Sequence, residues 1–325
     1  MRRTIRLAAL LAAVVALAMT AIPAAAAFPG QNGTIVFSSN RGGTFEIYSM
    51  NPDGSGVTQL TTFPPCSRGP WASSDGSKIA FHGNLNADCS GLAFDIYTVN
   101  ADGTGLMKLT NGGYNVTPAW SPDGTTVAFV SNQTVDGSCQ IVTTSADGTG
   151  RIHQVTHINP PVGLGGLSWS ADGSKLVYGT AVGTPQCPGP TGTAANLQIH
   201  VINANGGNDT VLETESFIPG ISFNTSRHPD WSPDGSQITY ASTRSGDLQV
   251  WTMNADGTNQ VQVTHDPNTP ENFSRFSPDG SQLVFQAQPA SLQGVEIRVV
   301  NVDGSHEVKV IDGKFRNIQP SWSPS

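Results

Sequence analysis

A short phrase returns six times along the chain: Trp71-Ala-Ser-Ser-Asp-Gly76, Trp120-Ser-Pro-Asp-Gly124, Trp169-Ser-Ala-Asp-Gly173, Trp231-Ser-Pro-Asp-Gly235, Phe276-Ser-Pro-Asp-Gly280 and the fragment Trp322-Ser-Pro-Ser325. Successive copies lie 49, 49, 62, 45 and 46 residues apart. That period belongs to propeller blades, small sheets that cannot bury their apolar faces alone, and the 62-residue step marks a unit with an insertion. The fold class that follows is all-β, a six-bladed β-propeller of four-stranded antiparallel blades. Function must then sit where the copies differ.

Residues 118 to 156 show the unit. Pro118-Ala-Trp-Ser121 reads as a short strand and Pro122-Asp-Gly124 as a turn, in which Pro presets φ and Gly supplies φ > 0. Thr125 to Val130 alternates as a second strand, Gln140 to Thr144 is a third, Ala146-Asp-Gly148 a second turn, and Arg151 to Val155 a fourth strand. Second turns recur at Asn51-Pro-Asp-Gly54, Asn100-Ala-Asp-Gly103, Asn203-Ala-Asn-Gly206, Asn254-Ala-Asp-Gly257 and Asn301-Val-Asp-Gly304. A calcium loop needs several carboxylates at alternating positions; each turn here has at most one, so these are structural turns. The recurring aromatic is expected to pack blade against blade, with Phe276 filling the same gap. Gln31 to Ser39 matches the part of a unit after the first turn, and Trp322-Ser-Pro the part before it. The C-terminal strand is therefore expected to complete the first blade, removing the edges an open array would leave.

The start of the chain has its own pattern. Arg2, Arg3 and Arg6, an apolar run from Leu7 to Met19, and Ala25-Ala-Ala27 describe a secretory signal peptide over 1–27, ahead of one propeller domain at 28–325. Its removal leaves 13 basic and 24 acidic residues, a balance of −11. Acidity of that order argues against nucleic-acid or anionic-membrane partners, and the mature chain has no expected membrane span. An exported chain with Cys66, Cys89, Cys139 and Cys187 favours disulfides, in three conceivable pairings.

Pro-Ala-Trp-Ser-Pro-Asp-Gly, then Val-Ala-Phe-Val-Ser, Ile-Tyr-Thr-Val-Asn-Ala-Asp-Gly and Lys-Leu-Thr, resembles the WD40-like propeller repeat of the TolB type over nearly all of the chain after residue 27. The resemblance implies a six-bladed propeller and, by analogy with TolB, a periplasmic partner of the Tol and peptidoglycan-associated proteins. Similar propellers precede the catalytic domain of prolyl-oligopeptidase-like peptidases. The small α/β domain that precedes the TolB propeller and the hydrolase domain of the peptidases are both expected to be missing, so the resemblance speaks to fold more than to role.

Both turns of each unit fall on one face, and the variable loops on the other, upper face. The longest spans about Thr180 to Asn196; another connection runs from Glu213 to His228. The blade register favours Cys66 with Cys89 inside blade two, and Cys139 with Cys187 between adjacent blades. Arg68, Tyr114, Arg227, His228, His265, Arg275 and Arg316 are the expected ligand contacts there, with Asn115, Arg244, Asn272 and Asn317 as further candidates. Arg41 and Arg244 hold matching places in two units, which points to a structural role for both. No nucleophile elbow, metalloprotease His pair or phosphate loop appears, so no catalytic residue is nominated. The expectation is a secreted or periplasmic, monomeric, non-catalytic module with no cofactor, binding a protein, peptide or glycan of the envelope. The alternative is a metal-dependent carbohydrate-active enzyme, polysaccharide lyase-like, with His157, His228 and His265 as metal ligands.

Overall fold

Short strand segments punctuated by Asp-Gly turns pair with their sequence neighbours, and the computed structural model shows them as six four-stranded antiparallel sheets whose inner strands are buried on both faces. The structure describes residues 30–158, 163–182, 196–216, 227–291 and 293–325. β1 (Asn32–Ser39), β2 (Glu46–Met50) and β3 (Thr58–Gln59) belong to blade one. Blade two holds β4 (Cys66–Ala72), β5 (Lys78–Asn84), β6 (Asp95–Asn100) and β7 (Met107–Lys108). Blade three holds β8 (Asn115–Trp120), β9 (Thr126–Ser131), β10 (Gln140–Ser145) and β11 (His153–Gln154). In blade four come β12 (Gly163–Trp169), β13 (Lys175–Val182), β14 (Asn196–Asn203) and β15 (Thr210–Ser216). Blade five has β16 (Asp230–Trp231), β17 (Gln237–Ser242), β18 (Gln249–Asn254) and β19 (Val261–Gln262). Blade six has β20 (Glu271–Phe276), β21 (Gln282–Ala287), β22 (Glu296–Asn301) and β23 (Val308–Ile311). Finally β24 (Asn317–Pro324) pairs with β1, Trp322 opposite Ile35, and so becomes the innermost strand of blade one.

The turn chemistry explains why the phrase recurs. In five first turns the Ser hydroxyl donates to the Asp two residues on, as Ser121 does to Asp123 at 2.6 Å, and the same carboxylate accepts the backbone N–H beyond the glycine, Thr125 N–H at 3.0 Å. Ser73–Asp75, Ser170–Asp172, Ser232–Asp234 and Ser277–Asp279 repeat it. These bonds hold the Asp123 carboxyl below the usual range, the Ser121 hydroxyl contributing most. A second device closes the outer edge of blades one, two, three and five. Thr61, Thr110, Thr156 and Thr264 accept a third-strand N–H at 2.8–3.0 Å and donate to Glu46, Asp95, Gln140 and Gln249 respectively.

Apolar clusters lie between neighbouring blades. Trp322 packs with Val284 and Ile297 between blades six and one, Trp231 with Val177 and Ile199 between four and five, and Phe276 with Val250 between five and six. The cluster between blades one and two, Val36, Ile47, Ile79, Phe81, Tyr97 and Val99, has no aromatic of the phrase. The reason is a one-residue offset. Trp120 stands three residues before Asp123 but Trp71 four before Asp75. In register, Ala72 opposite Ile79 matches Trp120 opposite Val127, and Trp71 opposite Ala80 matches Ala119 opposite Ala128. One step along a strand exchanges its faces. Trp71 therefore takes no part in the cluster between blades one and two; it belongs to the buried cluster that joins blades two, three and four, and also lines the channel.

Candidate binding site

Each blade has one residue in the left-handed region within its innermost strand or, in blade five, just before it: Gly69, Thr117, Gly166, His228, Phe273 and Gln319, with φ between 45° and 62°. Around this residue the pairing with the second strand breaks register in blades one, two, three, four and six. Such a bulge re-aims the side chain, and together the six line the axial channel. Four of them are not glycine, and left-handed backbone there costs roughly 1–2 kcal/mol per residue. Strain of that kind concentrates at ligand sites.

Two residues further along each strand lies a second layer: Trp71, Ala119, Ser168, Asp230, Arg275 and Ser321. Arg275 reaches from blade six across the axis. Its guanidinium lies 4.0 Å from the Trp71 ring centre in blade two, donates to the Pro229 carbonyl at 3.3 Å and stands 3.8 Å from an Asp230 carboxylate oxygen in blade five. Asp230 also accepts the Phe276 N–H at 3.0 Å. Burial pushes the Asp230 carboxyl up, opposed by the Arg275 charge. Arg275 is thus an internal strut rather than the rim contact expected from the sequence.

Above it, the His228 and Phe273 rings stack with centroids 3.6 Å apart. Burial, aided by the Arg275 charge, pushes the His228 imidazole down to about 3, so it is neutral near pH 7. Thr117 Oγ1 and Gln319 Oε1 are buried in the same mouth without a hydrogen-bond partner, although the Gln319 N–H is held by Gln286 at 2.9 Å. Nearby, the fully buried His82 ring meets Phe94 edge-on and its Nδ1 has no partner. An unpaired buried polar atom costs about 1–3 kcal/mol, so a group of them at one opening singles out the mouth as the candidate site.

The remaining expected site residues are dispersed. Arg227 is buried, with its guanidinium bonded to Glu213 and, at 2.6 Å, to Glu215; a doubly neutralised interior arginine is not an exposed ligand contact. Tyr114 is half-buried, edge-on to Phe94. Arg68 and Arg316 both stand over Phe45, at 4.2 and 5.9 Å from its ring centre. His157 and His265 are exposed beyond the outer strands β11 and β19, whereas His228 is buried at the axis. The three histidines are not brought together, and among the described residues no three His, Cys, Asp or Glu side chains gather as a metal site would need. Asn115 and Asn317 are structural: their amides bind the Phe94 and Val295 carbonyls and their oxygens accept from Ser131 and Ser39. Arg41 and Arg244 repeat one arrangement, each Nε donating to the Ser two residues back, Ser39 and Ser242, at 3.1 and 3.0 Å. Asn272 is buried in β20. Cys66, the first residue of β4, is joined to Cys89 with Cα atoms 5.3 Å apart. Cys139 is disulfide-bonded; Cys187 lies outside the described residues, as do most of the Thr180–Asn196 loop and residues 217–226 of the connection before His228. Thr117, Phe273 and Gln319 carry no motif, but a signal exists: two residues before the second layer and a fixed count back from each first-turn Asp-Gly stands a left-handed residue, and Gln319 keeps the same place before the last fragment, Trp322-Ser-Pro-Ser325.

Six closed blades around a layered channel define the class, a six-bladed β-propeller. Residues 191–325 match the family described as the TolB beta propeller domain, and over that stretch the chain is similar to TolB-type propellers. The Tol-Pal system protein TolB of Anaeromyxobacter dehalogenans is 33% identical over 118 residues, 36% of this chain and 25% of that protein. Matched segments cover between 16% and 36% of the curated relatives. Among solved structures, TolB of Acinetobacter baumannii superposes with a TM-score of 0.68 at 17% identity, over 90% of this chain and 67% of that one. An oligogalacturonate lyase in complex with manganese superposes at 0.53 and 19% identity, over 86% and 73%. Likeness at such identities concerns the fold alone.

Proposed function

We propose that this protein is an exported, non-catalytic binding module that captures a protein, peptide or glycan of the cell envelope through its channel mouth and the adjoining loops. The observation that carries this reading is the set of buried, unpartnered polar atoms at the mouth, Thr117 Oγ1 and Gln319 Oε1 above all. A fold with no need of those atoms keeps them where a ligand entering the axis would meet them. Export is supported by the disulfide, since such bonds persist in oxidising compartments, and by the basic, apolar and small-residue order of the first 27 residues. Among the described residues no helix is long and apolar enough to cross a membrane. Binding requires no metal or cofactor in this reading.

The test is capture from native envelope extract by the immobilised protein. Thr117→Val and Gln319→Met remove polar atoms that have no partner among the described residues, so stability should hold or rise by up to about 1–3 kcal/mol per variant while the captured band is lost. Capture undiminished by both variants would reject the channel mouth as the binding surface.

A further inference from the structure

Arg68 and Arg227 hold the same position in the repeat. Each directly precedes the left-handed residue of its blade, Gly69 or His228. Each also lies across from the corresponding residue of the second strand, His82 or Ala241. Their surroundings differ. Arg227 Nε donates to the Ala241 carbonyl at 3.1 Å, and its terminal nitrogens bind Glu213 and Glu215, both on the extended outer strand β15 of the preceding blade. Arg68 Nε is buried without a partner, and among the described residues no carboxylate lies within 4 Å of Arg68 or of Arg316. Instead the two cations share the Phe45 ring. Burial, then the Arg316 charge, pushes the Arg68 guanidinium down to about 10. The fold does not demand this polarity: blade three places Val116 opposite Val130 at the same register.

We propose that Arg68 and Arg316 form a carboxylate-recognition site for an acidic peptide segment of a partner protein. The choice of ligand follows from the molecule's own precedent. At the equivalent position the guanidinium is satisfied by glutamate side chains presented on an extended strand, and charge-assisted Arg–carboxylate bonds are the strongest available to it. A short acidic segment suits better than a long polyanion, which the balance of −11 over residues 28–325 would repel at a distance. The assignment rests on the binding reading above and names the chemistry of its ligand.

The probe is a fluorescein-labelled Gly-Glu-Gly-Glu-Gly peptide, amidated at its C-terminus, titrated by anisotropy at low salt, with the Gln-for-Glu peptide as control. Saturable binding is expected for the Glu peptide only, weakened about tenfold by Arg316→Ala and about 30-fold or more by Arg68→Val with His82→Val. That double variant recreates the apolar pair of blade three, and an unchanged melting curve verifies its fold; Arg316 is exposed, so its variant supplies the second measurement. Equal binding by wild type and both variants, or none up to about 1 mM, overturns the site. So does competition by trigalacturonate where the Glu peptide fails, which would move the carboxylate to a glycan. Envelope capture that survives the Arg68 and Arg316 variants but not Thr117→Val overturns this site and leaves the binding module standing. Arginine-dependent peptide binding with no envelope capture by wild type does the reverse.

Discussion

At the scale of single residues, position within the repeat decides chemistry. Gly166 and Gly124 both have positive φ, 58° and 68°, yet a side chain on Gly166 would meet the His228 backbone, whereas nothing lies within 4 Å of one on Gly124. Gly124→Ala should therefore cost about 1 kcal/mol, the strain of left-handed backbone alone, and Gly166→Ala about 2–4 kcal/mol from strain plus displacement of the channel wall. Urea unfolding of the two variants measures this; equal losses would show that the close approach to His228 can relax. Trp71 teaches the same lesson without a mutation. Its offset from Asp75 is visible in the sequence as one extra residue, but its consequence, a tryptophan under the Arg275 guanidinium, depends on a contact between blades two and six.

Elements were legible where local chemistry is self-contained. The Ser–Asp turn closes within five residues, so its physics is present in the phrase itself. The outer-edge threonine is a longer reach. Thr156 bonds the Ile141 N–H at 2.8 Å and the Gln140 side chain at 2.8 Å, about fifteen residues back, and the recurrent Leu-Thr or Val-Thr was its only trace. Thr156→Val keeps the shape and leaves the Ile141 N–H unpaired, so a loss of about 1–3 kcal/mol is expected. Hydrogen exchange should localise the added opening to β10 and β11; loss spread evenly over the blade would contradict a local clamp. The three histidines stay apart for an element-scale reason. His157 and His265 follow outer strands, while His228 precedes an inner one, so radius in the blade separates side chains that share a place in the sequence pattern.

Across the whole molecule, buried titratable groups predict how stability varies with pH. Burial pushes His82 and His228 down to about 3, and pushes Glu46 up to about 7 and Glu271 up to about 8. Glu271 rises although Arg298 stands 3.3 Å away, because burial outweighs that charge and the Glu307 and Asp266 carboxylates add to the rise. Below about pH 4.5 the unfolded chain binds more protons through its histidines, so stability falls with acidification toward pH 3. Between about 4.5 and 6.5 the two histidines and two glutamates offset one another. Above 6.5 the folded state alone retains protons on the glutamates, so stability declines toward pH 8. Urea midpoints from pH 3 to 9 should trace a plateau with a fall on either side; a midpoint still rising at pH 8 would contradict the assignment of the glutamates.

By itself the sequence determined the blade count, the Asp-Gly turns and the closure of the ring by Trp322, because each follows from a periodic pattern whose energetics are local or nearest-neighbour. Which of the polar residues are neutralised inside the fold was decided only by the tertiary structure. Arg68 and Arg227 are one repeat position with the same side chain, and both looked like contacts. Two glutamates on the neighbouring blade's outer strand neutralise Arg227, and none reaches Arg68. The worth of a buried charge is set by what packs against it, and in a propeller that partner belongs to another blade.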